Sequence, residues 1–214
     1  MASRMIHYAI TKCIVEVMEV KDINRLYLGS ILPDAYNSNI KSAQDSHYKE
    51  MIGNGIFTYN LTKFRDLFMN KIKEDDLYLG YYLHLIQDIL YRQFVYYGYN
   101  WKATIAGNVS KLHNDYHLIN TYVINKYRLS NDICIPKDFL EEEIFSLYPF
   151  DTKQLLCDLK GDFIPYREGN IFFFTEKMAD EYIEKATAMC ISEVSELKTG
   201  GVLLDERQYA WARR

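Results

Sequence analysis

The chain has 214 residues, 49% of them hydrophobic and 25% charged, with a formal net charge of −4. That composition can bury a sizeable core, and the acidic balance argues against a general binder of nucleic-acid backbones, which would carry a basic face. No apolar run reaches the ~18 residues that span a bilayer, so the sequence reads as a soluble, cytoplasmic protein with no transmembrane segment.

Residues 5 to 19 place Ile6, Ile10, Cys13, Ile14 and Val17 at helical spacing, with His7 on the same stripe. A short second helix begins in "INRLYLGSILPD" and loses its period at Pro33. A long polar loop follows, carrying Asp34 and ending at His47. Helices are expected over 62–73 and 76–97, separated by the turn "KEDD", then over 103–127, 138–147 and 176–197, the last behind Thr175 as N-cap. Only "DFIPYREGNIFFFT" reads as extended, with a turn at "REGN". The expected fold is all-α: a single multi-helix domain over 1–198, with at most a small β-hairpin near 163–174. Residues 199–214 read as a C-terminal tail in which Leu203, Leu204 and Trp211 are the residues able to dock. No internal repeat is present.

Cys13, Cys134, Cys157 and Cys190 are widely spaced, and no CxxC pair occurs. No cleavable leader is recognised, so reduced thiols are expected. Of the 19 tyrosines, many cluster around residues 78 to 99. Tyr81, Tyr82, Tyr91 and the "YYGYNW" stretch suit either helix packing or the wall of a groove.

The stretch "LGYYLHLIQDIL" sets His84 and Asp88 one helical turn apart in an apolar run. Burying a carboxylate without a partner costs several kcal/mol, so the pair implies either a bracing His–Asp hydrogen bond or a shared cation. The other histidines are His7, His47, His113 and His117, the last two four apart with Asp115 between them. His113 and His117 share one helical face, whereas Asp115 points elsewhere. Imidazoles with carboxylates and a position for water are the composition of a hydrolytic zinc site. Each residue also has an ordinary role open to it: His7 in the core, Asp34 in a turn, His113 and His117 on a half-exposed helix.

Taken in order, "MIHYAITKCIVEV", "LYLGSILPDAY", "SHY" and "LGYYLHLIQDILYRQF" resemble the bacterial zinc-dependent phospholipase C family, related to the S1/P1 nucleases. The resemblance covers the chain to about residue 125; beyond that only helical character matches. It implies a fold of the phospholipase C / P1 nuclease type and hydrolysis of phosphate esters by a metal-activated water. By position, it implies that Asp34, His47, His84 and Asp88 hold one zinc ion, and that Asp88 bridges to a second held by His7. A third ion would fall to His113, Asp115 and His117, where the chain has His-xxx-His in place of the family's His-xxx-Glu and no histidine in "RQFVYYGYN". Secreted members also ligate metal through the amine of an N-terminal Trp; here six residues precede His7, so that ligand is expected to be absent or replaced. Asp34 and Asp88 are each a ligand or the general base. The expected activity is that of a metal-dependent phosphoesterase acting on a small phosphorylated or phospholipid-type substrate. The alternatives are a nuclease or nucleotidase of the same fold, and a non-catalytic helical protein with a structural metal or a His–Asp network.

Overall fold

The computed structural model describes residues 2–35, 46–148, 150–166 and 168–212. Most of the expected polar loop, 36–45, lies outside the described residues. Among the described residues, the chain forms eight α-helices and one small antiparallel sheet. Helix α1, Arg4–Val15, is buried nearly all round, from Met5 through Thr11 and again at Ile14, with His7 among these residues. Helix α2, Ile23–Ile31, starts at Asp22, whose side chain accepts the Arg25 N–H, and runs into a 3-10 turn at Leu32–Ala35. Strands β1, Lys49–Gly53, and β2, Ile56–Tyr59, form a hairpin. Helix α3, Leu61–Glu74, leads to α4, Asp76–Tyr91, capped by Asp75 and extended by a π-helical turn over Arg92–Gly98. Next come α5, Asn108–Tyr127, the short α6, Glu143–Leu147, α7, Thr152–Asp162, and the long α8, Glu176–Thr199. A final strand β3, Trp211–Ala212, pairs with β2 through Ile56↔Ala212 and Phe57↔Trp211.

The all-α expectation holds, but the hairpin does not lie at 163–174. It is built by "KEMIGNGIFTY", where Gly55 takes φ +77°, the left-handed conformation that a tight Asn-Gly turn requires. No residue described between 163 and 174 is in a strand. The reason is local: the backbone N–H groups of Phe172, Phe173 and Phe174 are taken by the Asp115 carboxylate, at 2.7–2.8 Å, and are lost to any ladder. The helix expected from 103 starts at Asn108, behind Gly107 at φ +82°. That expected over 138–147 divides into a 3-10 turn at Phe139–Glu141 and α6, and α7 was not anticipated. No helix among the described residues is long and apolar enough to cross a membrane.

Helix α4 runs through the centre, with every residue from Gly80 to Ile89 buried. It approaches α2 backbone to backbone. A Cβ on Gly29 would overlap the Leu77 carbonyl, and one on Gly80 the Leu26 carbonyl. Two glycines facing each other therefore allow a crossing that no larger residue permits, and this crossing brings the backbone of Ser30 to the side chain of His84.

Candidate metal centre

Five residues from four segments converge beside α4. His7 comes from the first turns of α1, Asp34 from the 3-10 turn, His47 from the residues before β1, and His84 with Asp88 from one face of α4. His7, His84 and Asp88 are fully buried and His47 nearly so, while the Asp34 side chain keeps 16% exposure. The His7 and His84 rings stack with centroids 3.9 Å apart. His47 Nε2 lies 3.2 Å from His84 Nε2, 3.4 Å from Asp34 Oδ1 and 3.7 Å from Asp88 Oδ2. Asp88 Oδ2 is 3.8 Å from His84 Nε2, and Asp88 Oδ1 is 3.5 Å from His7 Nε2.

The protonation pattern follows from the partners outside the cluster. His84 Nδ1 sits 2.8 Å from the Ser30 carbonyl oxygen, which only accepts, so the proton is on Nδ1 and Nε2 presents a lone pair. Burial and the neighbouring His7 push this imidazole down to about 3, which keeps it neutral near neutral pH. Burial pushes the Asp88 carboxyl up, but His7 and His84 beside it pull it well below the usual carboxylate range. Asp34 behaves alike: burial raises it, and the hydrogen bond with His47 together with the nearby imidazoles more than offsets this. The pocket thus encloses two carboxylates around at least one neutral imidazole.

Such a pocket could hold a cation. His7 Nε2 and Asp88 Oδ2 are buried with no hydrogen-bond partner, a costly condition for an imidazole nitrogen and a carboxylate oxygen. The separations of 3.4–3.8 Å exceed those of charge-assisted hydrogen bonds, ~2.7–2.9 Å. They are close to the roughly 3.3 Å between ligand atoms that share a tetrahedral ion at ~2.0–2.1 Å. Two triads, His7–Asp34–His84 and His47–His84–Asp88, each bring their ligand atoms within 4.8 Å of one another. Nitrogen and carboxylate donors in this number suit zinc. The residues fit the metal that the resemblance implies.

The remaining predicted residues are placed elsewhere. His113 and His117 are exposed on α5, beside Tyr116 and Tyr166 respectively, and belong to neither triad. They line a polar groove of about 250 Å³ together with Ala2, Arg4, Asp34 and Asp162. The groove therefore meets the cluster at Asp34. Asp115 points the other way, with both oxygens committed to the backbone of residues 172–174. Tyr81, Tyr82 and Tyr91 are fully buried packing residues: Tyr81 stacks on Phe64, Tyr82 hydrogen-bonds Glu193, and Tyr91 hydrogen-bonds Tyr116.

Three contributors escaped sequence reasoning. The Ala2 N–H donates to Asp88 Oδ1 at 3.1 Å, the Ser30 carbonyl orients His84, and Gln87 Oε1 lies 2.8 Å from His7 Nδ1. The first two are backbone groups, which no side-chain pattern encodes; Gln87 was in plain view as a polar residue beside Asp88 in an apolar run. No protein-family model, no curated protein and no solved structure matches this chain.

Proposed function

We propose that the chain is a metal-dependent phosphoesterase of the phospholipase C-like kind, with a zinc-type centre built from His7, Asp34, His47, His84 and Asp88. The observation that carries this reading is the pair of orphaned buried atoms, His7 Nε2 and Asp88 Oδ2, inside a cluster that opens at Asp34 onto a polar groove. Bound there, divalent ions would lower the pKa of a water and neutralise charge on a phosphoryl group. Asp34 is the carboxylate that meets the groove, so with ions bound it would be the group placed to take the proton of an attacking water. Asp88 is enclosed and already accepts the Ala2 N–H, which leaves it the role of ligand. His113 and His117 offer imidazole N–H donors to the substrate's oxygens from the groove wall, in place of holding a third ion. A groove of about 250 Å³ takes a phosphoryl group with a small polar substituent. Cys134 and Cys157 are exposed, unpaired thiols, which suits a cytoplasmic setting.

The test is elemental analysis of the metal-replete protein, followed by hydrolysis of a chromogenic phosphodiester. One to two divalent ions per chain and metal-dependent turnover are expected. Less than about 0.2 ion per chain would end the proposal, since zinc sites of this kind bind with roughly 10 kcal/mol or more. Bound metal without hydrolysis of any phosphate ester would favour the structural-metal alternative, and preference for nucleotides would favour a nuclease or nucleotidase.

A further inference from the structure

Gln87 lies one residue before Asp88, is fully buried, and points away from the groove towards α1 and α8. Its side-chain oxygen is 2.8 Å from His7 Nδ1, and its amide is turned towards the Cys190 thiol of α8. Tyr182 of α8 donates to the Gln87 backbone carbonyl at 2.5 Å, fixing this turn of α4 from behind. The Cys190 thiol, pushed up to about 12 by burial and so protonated, faces the same amide. A glutamine amide can present either end to an imidazole, and the two ends have opposite consequences for His7. With Oε1 against the ring, the proton must sit on Nδ1, and Nε2 turns a lone pair towards Asp88. With the amide reversed, the N–H would occupy Nδ1, the proton would move to Nε2, and His7 would aim an N–H at the place where a ligand is needed.

We propose that Gln87 is a positioning residue whose side-chain oxygen holds His7 in the Nδ1–H tautomer, delivering Nε2 to the centre as a donor. His84 reaches the same state by a different route, a backbone carbonyl that has no second orientation. The two stacked imidazoles therefore differ: His84 is set by the fold, His7 by one replaceable side chain. The consequence for metal rests on the metal-centre reading above, but the tautomer is a property of the metal-free chain and is tested there.

The decisive measurement is the nitrogen-15 shift pattern of the His7 ring in the metal-free protein. The Nδ1–H tautomer is expected for the natural chain. Gln87→Met keeps the volume and removes the acceptor; both tautomers should then be populated, and zinc affinity should fall about 10–100-fold, with thermal melting of the metal-free protein little changed. Gln87→Glu restores an acceptor and should restore both the tautomer and the affinity. A proton on Nε2 in the natural chain would overturn the inference, as would Gln87→Met binding zinc like the natural chain. A protein that binds no zinc, yet shows His7 in the Nδ1–H form, would sink the metal reading and leave the tautomer assignment standing.

Discussion

Asp88 and Asp115 are both fully buried aspartates on long helices, yet they are used in opposite ways. Asp115 accepts three backbone N–H groups and spends both oxygens on them. Asp88 accepts one, from Ala2, and leaves Oδ2 without a partner. Asp115→Ala should therefore destabilise the chain by about 2–4 kcal/mol, since hydrogen bonds to a charged group contribute roughly 1.5–3 kcal/mol each and are not additive. Metal content should not change. Asp88→Asn should do the reverse: metal binding falls, any phosphate-ester hydrolysis drops at least ~100-fold, and the metal-free protein melts only slightly lower, because the amide oxygen still accepts the Ala2 N–H. Calorimetry and elemental analysis on the two variants check both halves, and equal metal loss in each would contradict the division. His84 and Asp88 were legible because their spacing joins them on one helical face. The role of Asp115 was not, because its partners lie 57 to 59 residues away and are backbone groups.

At the scale of elements, helical periodicity located the long helices well, and failed where backbone chemistry overrides side-chain pattern. The run "IFFFT" looks like a strand, but its N–H groups have a carboxylate for a partner. The true hairpin carried an Asn-Gly signal flanked by Met51, Ile52, Ile56 and Phe57, but its apolar runs are too short to show a clear alternation. The crossing of α2 and α4 was equally hidden, since one glycine per helix says nothing about what it faces. Gly80→Ala tests that crossing. Its Cβ would meet the Leu26 carbonyl and the Ser30 backbone nitrogen, neither of which can swing aside. The helices must separate, at a cost of about 1–3 kcal/mol or more, and the Ser30 carbonyl moves off His84. A lower melting temperature together with weaker zinc binding is expected. Gly161→Ala in α7 is the control: nothing lies within 4 Å of the new Cβ, and replacing glycine in a helix should stabilise by up to ~1 kcal/mol. If Gly80→Ala melted and bound zinc like the natural chain, the close crossing would have no part in positioning His84.

For the whole molecule, the boundary drawn near residue 198 separates pieces that share buried charge. Glu193 of α8 accepts the N–H groups of Leu203 and Leu204 at 3.0 and 2.8 Å, and also the Tyr82 hydroxyl, which in turn accepts from Arg65. Glu206 closes the circuit from the C-terminal side, accepting the Thr62 N–H at 3.0 Å and pairing with Arg65 at 3.4 Å. Beyond it, Trp211 covers Tyr59 and stacks 4.0 Å from the Arg92 guanidinium, one helical turn past Asp88. Residues 200–212 are thus part of the core's polar network, something composition could not show because "GGVLLDERQYAWARR" has the glycines and charges of a loose end. Ending the chain at Thr199 would leave Glu193 and Arg65 buried without these partners, and breaking a buried ionic network from one side costs about 3–5 kcal/mol. Loss of the β2–β3 pairing and of the Trp211 contact adds to that, so the truncated chain should melt many degrees lower, with a chain of this size losing roughly 2–4 °C per kcal/mol. Arg65→Met with Glu206→Gln in the full-length chain removes the charges as a pair and should cost far less than the truncation. A truncated chain that melts with the full-length protein and keeps its metal would mean that the segment is only laid on the surface, and that the polar circuit through Tyr82 closes without it.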